Sequence, residues 1–257
     1  MADRKLKIDI RREKILSLLQ KTGKVSVTAL SRELGATTVT IRNDLSALER
    51  DGYLTRVQGG AVIISNRENS TTQNRDISHY AQKCAIAQEV AERVRDGNTL
   101  FINSGTTSVC VAEALKVRKN LNIVTNSLKV ATELGSVSSF RVLLLGGVIN
   151  SQYGFTSGDD AQTQLARYQA DWAILAVDGV SARGGITTYH AEEATVDRMM
   201  LAGAKHVLIT ADSSKIGNAG FSRVSDCSPR LELITDSHAD AQTVKQLEEQ
   251  GVKVSCV

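Results

Sequence analysis

The chain has 257 residues, 42% of them hydrophobic and 23% charged, with a net charge of +3. That hydrophobic share supports a sizeable core in one or two domains of about 150 residues each. The near-neutral total argues against an architectural protein that coats DNA without specificity. The charge is also uneven: residues 1–60 hold 12 Lys/Arg against 7 Asp/Glu, and residues 61–257 hold 19 against 21. The basic excess therefore sits at one end, as a phosphate-binding surface requires.

The four cysteines, Cys84, Cys110, Cys227 and Cys256, show no CxxC or His/Cys ligand spacing. Neither a zinc site nor a disulfide framework is expected, and reduced, mostly buried thiols are. Met1–Ile10 is charged with no apolar centre, unlike a signal peptide. No apolar run approaches the roughly 18 residues that span a bilayer. A cytoplasmic protein with no membrane partner is expected.

In chain order, Ile10–Gln20 reads as a helix with Ile15, Leu18 and Leu19 for packing. Ser26 caps a second helix carrying Val27, Leu30 and Leu34, because a hydroxyl there satisfies an orphan backbone N–H. Gly35-Ala36 make a tight turn. A third helix starts at Thr37/Thr38 and runs through Ile41, Leu45 and Leu48, an apolar stripe at helical spacing. Helix, short glycine turn, helix is the arrangement whose second member enters the DNA major groove. With the stripe inward, Val39, Arg42, Asn43, Ser46 and Arg50 face out, with Thr40 at the edge and Thr37 and Thr38 at the exposed start. Arg and Asn can pair two-pronged with guanine and adenine edges, and Thr suits phosphates or thymine methyls.

Asp51-Gly52 stops the helix. Tyr53–Ile64 then reads as two short strands around Gln58-Gly59-Gly60, a hairpin signal. Three helices and a hairpin make a winged helix, its wing carrying Arg56 and Gln58 toward DNA. The run TIRNDLSALERDGYLTRVQGGA resembles the N-terminal signature of the DeoR family of bacterial transcription regulators. It matches at Thr40, Ile41, Arg42, Asp44, Leu45, Leu48, Gly52, Arg56, Gly59, Gly60 and Ala61; the family often has a second Arg where Asn43 stands. The resemblance implies a DNA-binding domain over residues 1–64, with double-stranded operator DNA as partner.

Ser65–Ser78 is almost devoid of apolar residues and reads as a linker, placed at 65–80 with the next domain at 81–257. His79, near its end, reads as a surface or hinge residue. Helices and strands then alternate. Gln82–Arg95 is helical, Thr99–Ile102 a strand, Val109–Leu115 a helix, Asn122–Thr125 a strand, Leu128–Leu134 a helix and Arg141–Leu145 a strand. Gln162–Tyr168 is helical, Trp172–Val177 a strand, Glu192–Ala202 a helix and His206–Thr210 a strand. Leu231–Thr235, Ala241–Gln250 and Val252–Val257 close the chain as strand, helix and strand. This predicts an α/β fold: the winged helix-turn-helix joined to a Rossmann-like, mostly parallel sheet.

Ligands bind beyond the carboxyl ends of strands in such sheets. Asn103, Ser104, Gly105, Thr106, Thr107 and Ser108 follow the first strand and open a helix, a natural phosphate cradle. Asn126-Ser127 follow the second strand, Gly146-Gly147 the third, Asp178-Gly179 the fourth and Asp212–Lys215 the fifth. Together they describe one crevice with a phosphate seat, a carboxylate and a lysine, which fits a sugar phosphate.

FINSGTTS, VTNSLKVA, LLGGVIN, AVDGVS, GGITT…EEA and ADSSK look like the DeoR-family effector domain, similar in fold to ribose-5-phosphate isomerase and glucosamine-6-phosphate deaminase. The resemblance implies that Ser104–Thr107 and Asn126-Ser127 bind phosphate and sugar hydroxyls, and that Asp178, Glu193 and Lys215 face the sugar. The family often has Asp at Asn103 and Ser near Phe155; an aromatic at Phe155, with Tyr153 close by, reshapes the pocket. The expected function is a repressor of a carbohydrate-use operon, modulated by a phosphorylated sugar. No cofactor, metal or catalytic set is expected, and paired half-sites imply a homo-oligomer, a dimer or tetramer. The competing reading is an isomerase or deaminase in which Asp178, Glu193 and Lys215 move a proton.

Overall fold

A computed structural model describes residues 11, 12, 14–16, 18, 19, 22, 24–50, 54–57, 59–63 and 79–257. The chain divides into two compact units, Met1–Ser78 and His79–Val257. The expected linker at Ser65–Ser78 and the wing-tip Gln58 lie outside the described residues.

In the first unit residues 11, 12, 14–16, 18 and 19 are helical (α1). There follow β1 (Lys24–Ser26), α2 (Val27–Glu33), α3 (Thr38–Arg50), β2 (Leu54–Val57) and β3 (Gly60–Ile63). Ser26 caps α2 by accepting from the Ala29 N–H at 3.1 Å, and Gly35 turns the chain at a φ of +61°. Thr37 Oγ1 accepts from the Thr40 N–H at 3.1 Å and so opens α3. A lone helix of this length is marginal in water; packing holds it. Ile41, Leu45 and Leu48 are buried against Ile15, Leu19, Leu30 and Leu54. Each such side chain contributes about 1.5–3 kcal/mol by burial.

Two features were not expected. Asp44 lies on the buried face of α3, where the Nε–H groups of Arg11 (2.6 Å) and Arg12 (3.3 Å) donate to its carboxylate. It ties α1 to α3 and is not available to DNA. The sheet also has three strands, in the order β1-β3-β2. β1 was hidden because its three residues run straight into the cap of α2. Gly60 belongs to this pairing: a Cβ there would stand 2.0 Å from the Val25 carbonyl oxygen.

The second unit contains α4 (Tyr80–Arg93), β4 (Thr99–Ile102), α5 (Thr106–Leu115), β5 (Asn122–Thr125), α6 (Leu128–Gly135) and β6 (Arg141–Leu144). Next come β7 (Val148–Asn150), β8 (Phe155–Ser157), α7 (Asp159–Leu165), β9 (Ala170–Ala176), β10 (Gly179–Ser181), β11 (Gly185–Thr188) and α8 (Ala191–Ala202). Last are β12 (Ala204–Thr210), β13 (Ser222–Ser225), β14 (Leu231–Thr235), α9 (Ala241–Glu249) and β15 (Lys253–Cys256). Seven strands form one sheet in the order β15-β14-β12-β9-β4-β5-β6, and every pairing in it is parallel.

Alternation along each strand splits the core into two layers. Leu100, Ile102, Ile123 and Ile174 pack with α4, α5 and α6. Phe101, Ala173, Leu175 and Val207 pack with α7, α8 and α9. From β4 the chain builds outward to β5 and β6, then returns to add β9 on the other side. The order reverses between β4 and β9, which makes their carboxyl ends the switch point where sheets of this kind bind ligands.

The predicted elements are present with shifted ends: α5 begins three residues before the expected Val109, and α7 three before Gln162. The small sheet β10-β11-β13 and the hairpin β7-β8 were not predicted. Each is built from three- or four-residue strands lying among Gly, Ser and Thr, where alternation has no room to show. No disulfide joins the cysteines, but the thiols are not interior. Cys84, Cys110 and Cys227 are half-buried and Cys256 is exposed, because they sit on the margins of the core layers.

Asp44→Ala removes the acceptor for two cations from a buried position. The opening free energy of α3, read by amide hydrogen exchange on the full chain, is expected to fall by about 1.5–3 kcal/mol, the worth of hydrogen bonds to a charged group. Protection within α5 should be unchanged.

Candidate functional site

In the first unit the outer face of α3 carries what the helical period predicts. Thr37, Val39, Arg42 and Asn43 are exposed, and Thr38, Thr40 and Ser46 are partly so. Val39, at 61% exposure, is a large apolar side chain presented to solvent. Two hydroxyls are already engaged: Thr37 Oγ1 caps the helix and lies 2.9 Å from Thr40 Oγ1. The exposed Arg56 of β2 donates from Nη1 to Ser46 Oγ at 2.8 Å, and its backbone N–H donates to Glu49 Oε1 at 2.7 Å. Wing and recognition helix are thus latched together. Glu49 was not singled out from the sequence; its partner lies in the strand after α3, whose position spacing alone does not give.

In the second unit the loop after β4 is built around Asn103. Its side chain is fully buried. Its amide donates to the Ala176 carbonyl (2.9 Å) and to Asp197 Oδ1 (3.0 Å), and its Oδ1 accepts from the Ala176 N–H (2.8 Å) and Ser108 Oγ (3.0 Å). All four capacities of the amide are used. Asn103 therefore positions the loop, with its side chain spent on bonds inside the protein. Gly105 follows at a φ of +139°, where a Cβ would press on the Ala176 Cβ at 2.9 Å. It precedes α5 with no side-chain cap, so the first N–H groups of α5, beside Thr106 and Thr107 and just past the end of β4, have no capping side chain.

Ser104 Oγ donates to Glu193 Oε1 in α8. The Thr188 hydroxyl lies within hydrogen-bond distance of both Glu193 Oε2 (2.8 Å) and Asp178 Oδ2 (3.1 Å), and the Tyr189 N–H donates to Asp178 at 3.0 Å. Ser104, Thr188, Glu193 and Asp178 therefore form one chain of groups. Burial pushes the Asp197 carboxyl well above its ordinary range; the neighbouring Glu193 carboxylate pushes the same way, and the Asn103 amide opposes them.

Asn126 and Ser127 follow β5. Ser127 Oγ caps α6 by accepting from the Val130 N–H at 3.3 Å. Asn126 donates from Nδ2 to the Thr156 carbonyl at 3.2 Å, but its buried Oδ1 has no hydrogen-bond partner among the described residues. Gly147 serves packing: a Cβ would stand 2.3 Å from the Ser157 carbonyl oxygen. Lys215 ends a 3₁₀ turn, Ser213–Lys215. That turn is tied to β10, directly after Asp178, by the Gly217 N–H donating to the Val180 carbonyl at 2.8 Å.

One residue was missed. His190 immediately precedes α8, three positions before Glu193. Its ring centroid lies 4.4 Å from Tyr153, 5.3 Å from Tyr189 and 5.9 Å from Phe155. Its Nε2 is buried without a partner among the described residues. The only sequence signal was a Tyr-His pair before a helix start, which carries no spacing rule. Among the described residues no group of three or more His, Cys, Asp or Glu is placed to hold a metal, and no helix is long and apolar enough to cross a membrane.

A winged helix-turn-helix unit and a parallel α/β unit with a cluster of polar side chains at its switch point define a DNA-binding regulator with a sensor domain. The DeoR-like helix-turn-helix domain matches residues 11–67 and the DeoR C terminal sensor domain residues 78–237. The HTH-type transcriptional repressor CsqR of Escherichia coli K12 is 31% identical over 95% of this chain and 94% of its own. The glycerol-3-phosphate regulon repressor of the same strain is 30% identical over 95% and 97%. The full-length sorbitol operon regulator SorC from Klebsiella pneumoniae aligns over 93% of this chain and 99% of its own at 12% identity, with a TM-score of 0.39. The chain belongs to the DeoR family and is a DNA-binding transcription regulator.

The Asp197 shift has a stability consequence with a definite sign. The folded state resists loss of this proton, so folding becomes less favourable as pH rises from the ordinary carboxyl value of about 3.9 toward the raised folded value. Asp197→Asn keeps an acceptor for Asn103 and removes the titration. The variant's Tm is expected to exceed the wild type's at pH 8, with the gap closing as pH falls toward 4. A pH-independent gap would mean that Asp197 binds its proton equally well in the folded and unfolded states.

Proposed function

We propose that this regulator represses a carbohydrate-use operon and that a phosphorylated sugar in the crevice of the second unit changes its grip on operator DNA. The observation that carries the reading is the uncapped start of α5, flanked by Ser104, Gly105, Thr106 and Thr107 at the β4/β9 switch point. Backbone N–H groups and the helix dipole there favour an anion. Glu193, Asp178 and Asn126 would receive the sugar hydroxyls, and Lys215 would neutralise phosphate. Gly147, Ser127 and Asn103 would shape the loops around them.

On DNA, Arg42 and Asn43 would read base edges, Thr38 and Ser46 would approach the backbone, and Thr37 and Thr40 would contact through their methyls. Arg56 would track the backbone, with Gln58 beside it at the wing tip. The named relatives include the repressor of a glycerol-3-phosphate regulon, which supports a phosphorylated effector. Residues 1–64 would form the DNA-binding domain, 65–80 the linker and 81–257 the effector domain of a cytoplasmic dimer or tetramer. The ligand acts by binding the DNA-competent and DNA-free conformations unequally.

We read the crevice as a binding site without turnover. Glu193 and Asp178 are engaged by Ser104, Thr188 and the Tyr189 N–H, an arrangement suited to orienting carboxylates toward hydroxyls. Prolonged incubation with ribose 5-phosphate or glucosamine 6-phosphate should yield no product; conversion would establish the enzyme reading instead.

Fluorescence anisotropy with the DNA upstream of its own coding sequence, at fixed salt, tests the regulator reading. At least one sugar phosphate should shift operator affinity tenfold or more, about 1.4 kcal/mol of coupling. Thr106→Ala and Lys215→Ala should keep DNA affinity and lose the response. Arg42→Ala should weaken operator binding by about 1–3 kcal/mol and flatten the preference at one base position; an equal loss on unrelated DNA would make Arg42 a phosphate contact.

A further inference from the structure

The phosphate seat and its carboxylates do not account for the cluster around His190. The Gly154 carbonyl accepts from the Leu128 N–H at 2.9 Å, and the Thr156 N–H donates to the Asn126 carbonyl at 2.8 Å. The loop carrying Tyr153 and Phe155 is therefore pinned to the turn carrying Asn126 and Ser127. Tyr153 is braced further by its N–H donating to Asn150 Oδ1 at 3.2 Å. On the other side, Phe155 and Tyr153 meet the His190 ring. His190 stands about 4.5 Å along the helix axis from Glu193, at 1.5 Å per residue, and Glu193 is bonded to Ser104 of the phosphate loop.

The bonded pair of Ser104 and Glu193 thus leads from the start of α5 to a cluster of three aromatic rings around an imidazole at its far end. At that far end lie Asn126 Oδ1 and His190 Nε2, both buried and both without a partner among the described residues. Leaving such atoms unpaired is costly in a folded protein. The amide oxygen needs a donor, and the imidazole nitrogen takes either role according to tautomer. Aromatic faces beside a few converging polar atoms are the composition of a pocket for a partly apolar small molecule. A sugar ring presents both surfaces at once, C–H groups on a face and hydroxyls around the edge.

We propose that His190, walled by Tyr153, Phe155 and Tyr189 and working with Asn126, recognises the hydroxyl-bearing ring of a pentose- or hexose-sized sugar phosphate. This end, and not the phosphate seat, then sets which compound the protein answers to. A three-carbon phosphate fills the seat and leaves both buried atoms unpaired, and a site built to bond a hydroxyl discriminates strongly against a ligand lacking it. The inference rests on the effector-site reading above, and its test keeps the two apart.

Isothermal titration of the full chain with hexose 6-phosphates and their 2-amino forms, ribose 5-phosphate, glycerol 3-phosphate and inorganic phosphate is the experiment. One ring sugar phosphate should bind at least tenfold more tightly than glycerol 3-phosphate or phosphate. His190→Phe keeps a flat ring in the cluster and removes Nε2. It should cost that sugar phosphate tenfold or more and inorganic phosphate less than twofold, whereas Thr106→Ala should weaken both. Tyr153→Leu should give the same ordering as His190→Phe, and serves if the first variant unfolds, as its unliganded Tm will show. If the phosphates bind and respond to Thr106→Ala, but glycerol 3-phosphate equals the best sugar or the His190 and Tyr153 variants weaken all probes alike, the His190 assignment falls and the effector site stands. If none of the compounds binds, the effector-site reading falls and takes this inference with it.

Discussion

One buried amide organises the second unit. Asn103 directly follows β4, bonds both backbone groups of Ala176 at the end of β9, holds Ser108 in α5 and reaches Asp197 in α8. Four elements converge on a side chain whose every donor and acceptor is used. Because an unpaired amide in that interior is costly, small displacements of any one element are opposed by the others. The start of α5 is therefore aimed at the switch point, and Glu193 is held where Ser104 can reach it. The polar side chains at the switch point are arranged around this interior amide.

In the first unit a comparable division of labour runs around a single helix. α3 buries Ile41, Asp44, Leu45 and Leu48 and leaves Val39, Arg42 and Asn43 to solvent. The Asp44 carboxylate, gripped by Arg11 and Arg12, holds the buried side without drawing on the exposed one. Arg56 and Glu49 latch the wing to the same helix. Under the proposed function an effector would change DNA affinity by binding two conformations unequally, which requires no continuous path of contacts.

Much of this architecture was legible in the residues. The stripe Ile41, Leu45, Leu48 predicted both the core of the winged helix and, by subtraction, its outer face. The alternation of short apolar runs with helical segments predicted the parallel sheet, because strands buried on both faces must be apolar throughout. The polar clusters fell at strand ends, where the chain has to turn and where backbone groups are left to a ligand. These are local properties: period, cap, turn and hydrophobicity are each written within a few neighbouring residues.

What only the tertiary structure decided are the partnerships between distant residues. Asn103 read as a ligand contact because it stands in a phosphate-type turn; Ala176 and Asp197, more than 70 residues away, occupy its amide. Asp44 read as part of a motif and proved to be an ion-pair anchor. β1 and the sheet β10-β11-β13 are too short to carry a period and exist through pairing with strands elsewhere. His190 gained its surroundings from Tyr153 and Phe155 on a hairpin some 35 residues upstream. The sequence by itself determined the elements and the polarity of their faces, because those follow from near neighbours. Which polar atoms are paired inside and which are left without a partner among the described residues depends on contacts made only when the chain has closed.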